Sequence, residues 1–479
     1  MALAPRLSWV ACAALIRGDR SVPSQSLDRS RHSLTLDSKE FIATVSRAQE
    51  SFLGWDEYST MPTPPGASAR EVWTALRTIH RAIGVEVSFA DGAQDAHWYY
   101  HTHEIADALS VVFGHTMTNS GLFQRASDAH NAEVMVRYQV DEAIAAAELD
   151  GIAISRKSAR TVPALQRAPK SATDRLLYNS LALVRDLPDY LEAPFSERLF
   201  WHFHERLTEG VSVESLEWSE PFQSLIHVEF ASATGGAESA KDVRRVLESI
   251  ATSLNGTNCD PHINPIIAAL LAPEAFRALR PLPSMNDQVG RFVLRLAALR
   301  AGVPVLGMLP LSRAKVRWLS APTESEFLLS PPQHYQSVHP EDADDLTGLV
   351  TATLRLTLEA LIDLSGALEA QAERDEALRT LLQSDPELNH RQRSILGRAL
   401  RDPEAEFRIS YHRDTHNVVY ATARADLLEL VDRGYLKMSE RGRAFVFTPR
   451  ANLHAYIETM QGQNMETSPT PRRSGGRRS

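Results

Sequence analysis

Apolar residues return every three or four positions in segment after segment of this chain, a period that specifies helices packed against helices. In "AREVWTALRTIHRAI" the residues Val72, Leu76, Ile79 and Ile83 share one face. "ATDRLLYNSLALVRDL", "SERLFWHFHERLTEG" and "DVRRVLESIATSLNG" read the same way, with Ser196 placed to cap the second and Gly210 to end it. "AEVMVRYQVDEAIAAAELDG" is a run of good helix formers closed by Asp150-Gly151, and that glycine suits a left-handed C-terminal cap. "NPIIAALLAPEAFRAL" is an apolar helix in which Pro273 predicts a kink or break. From Leu346 to Leu382 the leucines 354, 358, 361, 364 and 368 keep the spacing, and the Ala/Glu/Arg-rich second half reads as an exposed helical connector. β patterns are few: a short aromatic strand in "HWYY", a hairpin in "SLIHVEFASATGG", and a second hairpin in "KMSERGRAFVFTP" with Glu440-Arg441-Gly442 as its tip. The fold class is therefore mainly α.

A chain of 479 residues exceeds one ordinary core, so two to four domains are expected. The net charge of −9 points to no nucleic-acid or membrane coat, yet its distribution is uneven. Residues 391–454 hold 12 Lys/Arg against 8 Asp/Glu, and the tail beyond them holds four Arg against two Glu. Only Cys12 and Cys259 are present, which fits a reducing compartment. "LSWVACAALI" is too short to span a bilayer and lacks the core of an export signal. The expected location is the cytoplasm, with no membrane partner. His101, His103 and Glu104 alternate without further ligands, so no metal site is expected there.

The last segments, helix, turn, helix and basic hairpin, follow the layout of a winged helix-turn-helix. Its second helix would enter the major groove of DNA. Thr415, Arg424, Arg441 and Arg443 are the candidate contacts to phosphates or base edges. Against this, Asp414, Asp426, Glu429 and Asp432 lie on or beside the same helix and would repel phosphate, so a domain used for protein contacts or dimerisation is the other reading.

Between two helical segments lies "LRPLPSMNDQVGRFVLR", Leu279 to Arg295, a loop feeding a helix N-terminus. Together with "DEAIAAAELDGIAISRKSA", "HERLTEGV", "RAGVPVLGMLPLS" and the C-terminal segments, in this order and spacing, it resembles the Fic family over roughly residues 40–455. That resemblance implies a helical Fic fold with a small β-hairpin flap and an appended winged helix. It divides the chain into an N-terminal extension (1–38), an N-terminal helical region (39–130), a Fic core (131–345), a connector helix (346–387), a winged helix-turn-helix (388–455) and a basic tail (456–479). The reaction it implies is transfer of AMP from ATP, with Mg, to a hydroxyl of a target protein docked on the flap by strand pairing. A homodimer is compatible with it.

The chemistry of such a loop needs a triphosphate held at a helix N-terminus, a carboxylate for the metal, arginines for the outer phosphates and a base with a pKa near neutrality. Here "RPLPSMNDQVGR" stands where the family signature is HPFxDGNGRxxR. Arg280 stands at the base histidine, and a guanidinium has no acceptor for a proton. Ser284 replaces the metal-binding acid, Met285 and Asp287 replace the two glycines, and Gln288 replaces the first arginine. Asn286, Gly290 and Arg291 remain as nucleotide-binding candidates. The inhibitory helix of the family is altered too, with Ala146 at its serine and Asp150, before Gly151, at its glutamate. The residues alone lead to a self-filled site, with Asn286 capping the helix and Asp287 complementing its dipole, and the resemblance implies that Arg291 pairs with Asp150. Three functions stay open: a binding or regulatory pseudoenzyme, a DNA-binding regulator, and an enzyme of altered phosphoryl or nucleotidyl chemistry using another base such as His227 or His262.

Overall fold

The computed structural model describes residues 38–87, 97–128, 131–154, 169–218, 240–256, 263–320, 344–384, 387–401, 405–441, 444–451, 453 and 456–457. The expected flap "SLIHVEFASATGG", His227, His262, both cysteines, Arg443 and nearly all of the two terminal segments lie outside them. Two compact units divide at Gly366–Ala367, inside one long helix.

Among its described residues the first unit is helical apart from one short antiparallel strand pair. In chain order its elements are α1 (Lys39–Glu50), α2 (Trp55–Tyr58), α3 (Ala69–Ile83), β1 (Val85–Val87), β2 (His97–Tyr99), α4 (His103–Thr116), α5 (Gly121–Ser127) and α6 (Ala132–Leu149). There follow α7 (Ala172–Asp186), α8 (Glu197–Thr208), α9 (Ala240–Leu254), α10 (Pro265–Leu279), α11 (Asn286–Arg300), α12 (Pro304–Met308), α13 (Leu311–Ser320) and α14 (Thr347–Ser384). The caps are written locally. Ser68 and Glu71 form a reciprocal capping box on α3, and Ser196 accepts from Leu199 N at the start of α8. β1 and β2 pair antiparallel with Val85 opposite Tyr99. His101 and His103 are exposed, and Glu104 pairs with Arg355 at 2.5 Å.

The centre of this unit is the pair α10 and α11, joined by the short loop 280–285. Most residues of both helices are buried, so neither shows a polar face. Phe200 meets Phe276 edge-on at 5.3 Å, and Phe203 meets Phe292 at 6.3 Å. Of the kink or break expected at Pro273, the break is absent: α10 runs from Pro265 to Leu279 with the proline inside it. The reason is packing: Gly290 of α11 lies so close that a Cβ on it would sit 2.8 Å from Pro273 Cα. The proline turn is held from outside by its neighbour, and Gly290 is needed for that approach.

In the second unit α15 (His390–Arg401), α16 (Ile409–His416) and α17 (Tyr420–Asp432) precede the antiparallel pair β3 (Leu436–Arg441) and β4 (Ala444–Pro449). Phe407 adds a single bridge to Phe447. Leu396, Leu427, Leu430 and Phe447 form its sealed centre. Two expectations change here. The segment read as a turn before the second helix contains α16, whose only core contacts are Ile409 and His412, too few to show a period. β3 extends through Glu440 and Arg441, which pair with Phe445 and Ala444 and so belong to the ladder and not to its tip.

Candidate functional site

The candidate site is built where the end of α6 meets the start of α11. α6 ends in a Schellman arrangement: Gly151 at φ 88° donates to Glu148 O at 3.0 Å, and Ile152 donates to Ala147 O at 2.8 Å. Ile152 is fully buried, which anchors the turn. This geometry fixes the C-cap residue, Asp150, at 4% exposure. Its carboxylate points at the first turn of α11. Oδ1 accepts from Asp287 N at 2.9 Å and Oδ2 from Gln288 N at 3.1 Å. Free N–H groups and the dipole make a helix N-terminus an anion site, and here the Asp150 carboxyl group fills it. Burial, with the like charge of Asp287, pushes the Asp150 carboxyl well up, to about 8.

The loop itself is held by local bonds. Arg280 is exposed and caps α10 in the left-handed region at φ 42°, its N–H donating to Phe276 O. Asn286 is buried and bonds Leu282 with both ends of its amide, accepting from Leu282 N at 3.0 Å and donating to Leu282 O at 2.9 Å. It is the first helical residue, not the cap expected of it; Met285, left-handed at φ 59°, precedes it. Asparagine's short amide reaches back more readily than it reaches forward here, because Asp150 already occupies the forward N–H groups. Gln288 donates to the Met285 sulfur.

Arg291 does not pair with Asp150. Its Nε pairs with Glu142, two turns earlier on α6, and its Nη2 donates to the Gly307 and Leu309 carbonyls. The same Glu142 carboxylate accepts from Ser312 N at 3.0 Å and Arg313 N at 3.2 Å, so it also caps α13. Asp287 pairs with Arg277, and Glu274 with Lys315. Asp150, Asp287, Arg291 and Glu142 are thus all engaged by protein groups. A cavity of about 40 Å³ remains between Glu274, Asp287, Arg291 and Lys315, room for a few waters.

One contact was not foreseen from sequence. His204 on α8 places Nε2 3.1 Å from Ser284 Oγ, with both side chains half-buried. Among the described residues no group of three or more His, Cys, Asp or Glu side chains is arranged to hold a metal ion. Among the same residues no helix is long and apolar enough to cross a membrane.

In the second unit Thr415 on α16 and Arg424 on α17 are exposed. Asp426, expected to repel phosphate, is buried instead. It accepts from Arg391 Nε at 2.7 Å and Nη2 at 3.0 Å, from Asn389 Nδ2 at 2.8 Å, and lies 3.1 Å from His412 Nε2. It ties the three helices together. Asp414, Glu429 and Asp432 are exposed, and Glu429 accepts from Gln392.

No protein-family profile matches the sequence, and no curated protein is similar to it. Among solved structures the chain is similar to a Fic family protein from Desulfovibrio desulfuricans G20. The two are 14% identical, with 74% of this chain and 98% of that chain covered at a TM-score of 0.41. A likeness of that size fixes neither fold nor function.

Proposed function

We propose that this chain is a Fic-like protein that does not transfer AMP and serves as a binding or regulatory protein. The observation that carries the reading is the Asp150 carboxylate seated on the Asp287 and Gln288 N–H groups. A phosphate recognised in the family manner would need those same donors. Mg-ATP does not fit the residues present: the metal acid is Ser284, already engaged by His204, and Asp287 adds a second carboxylate beside the anion site. Arg280 at the base position cannot accept a proton. Labelled ATP, magnesium and host lysate test this beside an Arg280→His variant. Labelling by neither supports the proposal; labelling by the native chain sinks it.

A second reading has its own observation. Burial of Asp426 removes one of the acidic groups set against DNA, and Thr415 and Arg424 stay exposed on consecutive helices. The second unit then contacts DNA as a winged helix. A Lys/Arg-driven complex weakens steeply with salt, and absence of any binding at low salt refutes it.

A further inference from the structure

We propose that Ser284 is a nucleophilic serine, activated by His204 as its base, that accepts an acyl or phosphoryl group from an activated ester or fluoride. Two features meet in this assignment. First, Nε2 of His204 lies 3.1 Å from Ser284 Oγ, the reach a general base needs to take the hydroxyl proton. Burial lowers the His204 pKa, with Glu205 opposing it, so the imidazole is neutral and Nε2 can serve as acceptor at neutral pH.

Second, Ser284 sits on a strained turn that leads straight into a buried helix. Met285, next in the chain, holds φ 59° without being glycine. Serine nucleophiles of other folds are presented by sharp turns of this kind at the start of a helix. Trp201 lies edge-on to the His204 ring at 5.8 Å.

The step balances without a cofactor. Ser284 Oγ forms a bond to carbon or phosphorus, its proton passes to His204 Nε2, and the leaving group departs with its electron pair. With a fluorophosphonate the P–F bond breaks and fluoride leaves. The proposal is independent of the loss of AMP transfer, since it uses neither nucleotide nor metal.

The test treats the full-length chain with a fluorophosphonate probe and maps the adduct by peptide mass spectrometry. The expected adduct is on Ser284. Its rate should rise with pH to a plateau with a midpoint below 6.5, the ordinary histidine value. His204→Gln, checked for an unchanged melting curve, should slow labelling about 100-fold. An unlabelled Ser284 in the native chain overturns the proposal. So does a rate that ignores pH across the histidine range, or equal labelling of a folded His204→Gln variant.

Discussion

Glu142→Gln removes one negative charge from the most tightly buried ion pair of the candidate site. Glu142 is 1% exposed and Arg291 4%, so solvent does not screen the loss. The substitution keeps the shape of the side chain. It leaves the Arg291 guanidinium buried without a carboxylate, which costs about 3–5 kcal/mol when a buried pair is broken from one side. It also replaces one acceptor oxygen by an NH₂ group, so either Ser312 N or Arg313 N loses its partner, at a further cost of about 1–3 kcal/mol. The sum is a large part of the roughly 5–15 kcal/mol that holds a domain folded. Urea unfolding should show a much lower midpoint or no cooperative transition. Adding Arg291→Met to the same chain removes the stranded charge and should restore part of the loss, giving a favourable coupling in a double-mutant cycle. A cost below about 1 kcal/mol for Glu142→Gln, or no coupling with Arg291→Met, would refute the reasoning.

Gly290→Ala should destabilise by about 1–3 kcal/mol in thermal unfolding, because the Cβ contact with Pro273 outweighs the roughly 1 kcal/mol gain in helix propensity; a stabilised variant would show that the helices can part. Asp150 binds a proton more tightly folded than unfolded, its carboxyl lying near 8 against an ordinary 3.8. Its contribution is therefore full below the ordinary value and lost as pH rises toward about 8. Asp150→Asn should flatten the fall in stability between those pH values, measured by urea unfolding at pH 5 and pH 8.5, and an unchanged slope would contradict the assignment. Asp426→Asn should cost about 2–3 kcal/mol by weakening its charged hydrogen bonds, read as faster amide exchange across α15, α16 and α17.

The helical period and the cap residues were legible because they act within one or two turns. Ser196, Gly151, Val72 and Leu76 belong to that class, whereas Ile83, at the end of the same α3 spacing, is 52% exposed because the helix ends there and His80 takes the buried position instead. Arg291's partner was not legible. Asp150 and Glu142 lie on the same helix about 12 Å apart, and only the tertiary placement of α11 decides which carboxylate the guanidinium reaches. The His204–Ser284 contact joins residues with no shared period. For Asp426 a signal was present: it shares the i, i+3, i+4 face of Ala423, Leu427 and Leu430, which marks a buried position and not a DNA-facing one. Asn286 was misplaced by one residue because a left-handed Met285 takes the cap position, a backbone choice that asparagine or glycine more often makes.

The central claim is that the Asp150 carboxyl group occupies the anion site at the start of α11. Isothermal titration of the native chain with ATP and magnesium addresses it directly. The account predicts no heat of binding up to millimolar nucleotide. Magnesium-dependent binding at micromolar nucleotide would show that Asp150 yields the site, and would contradict it.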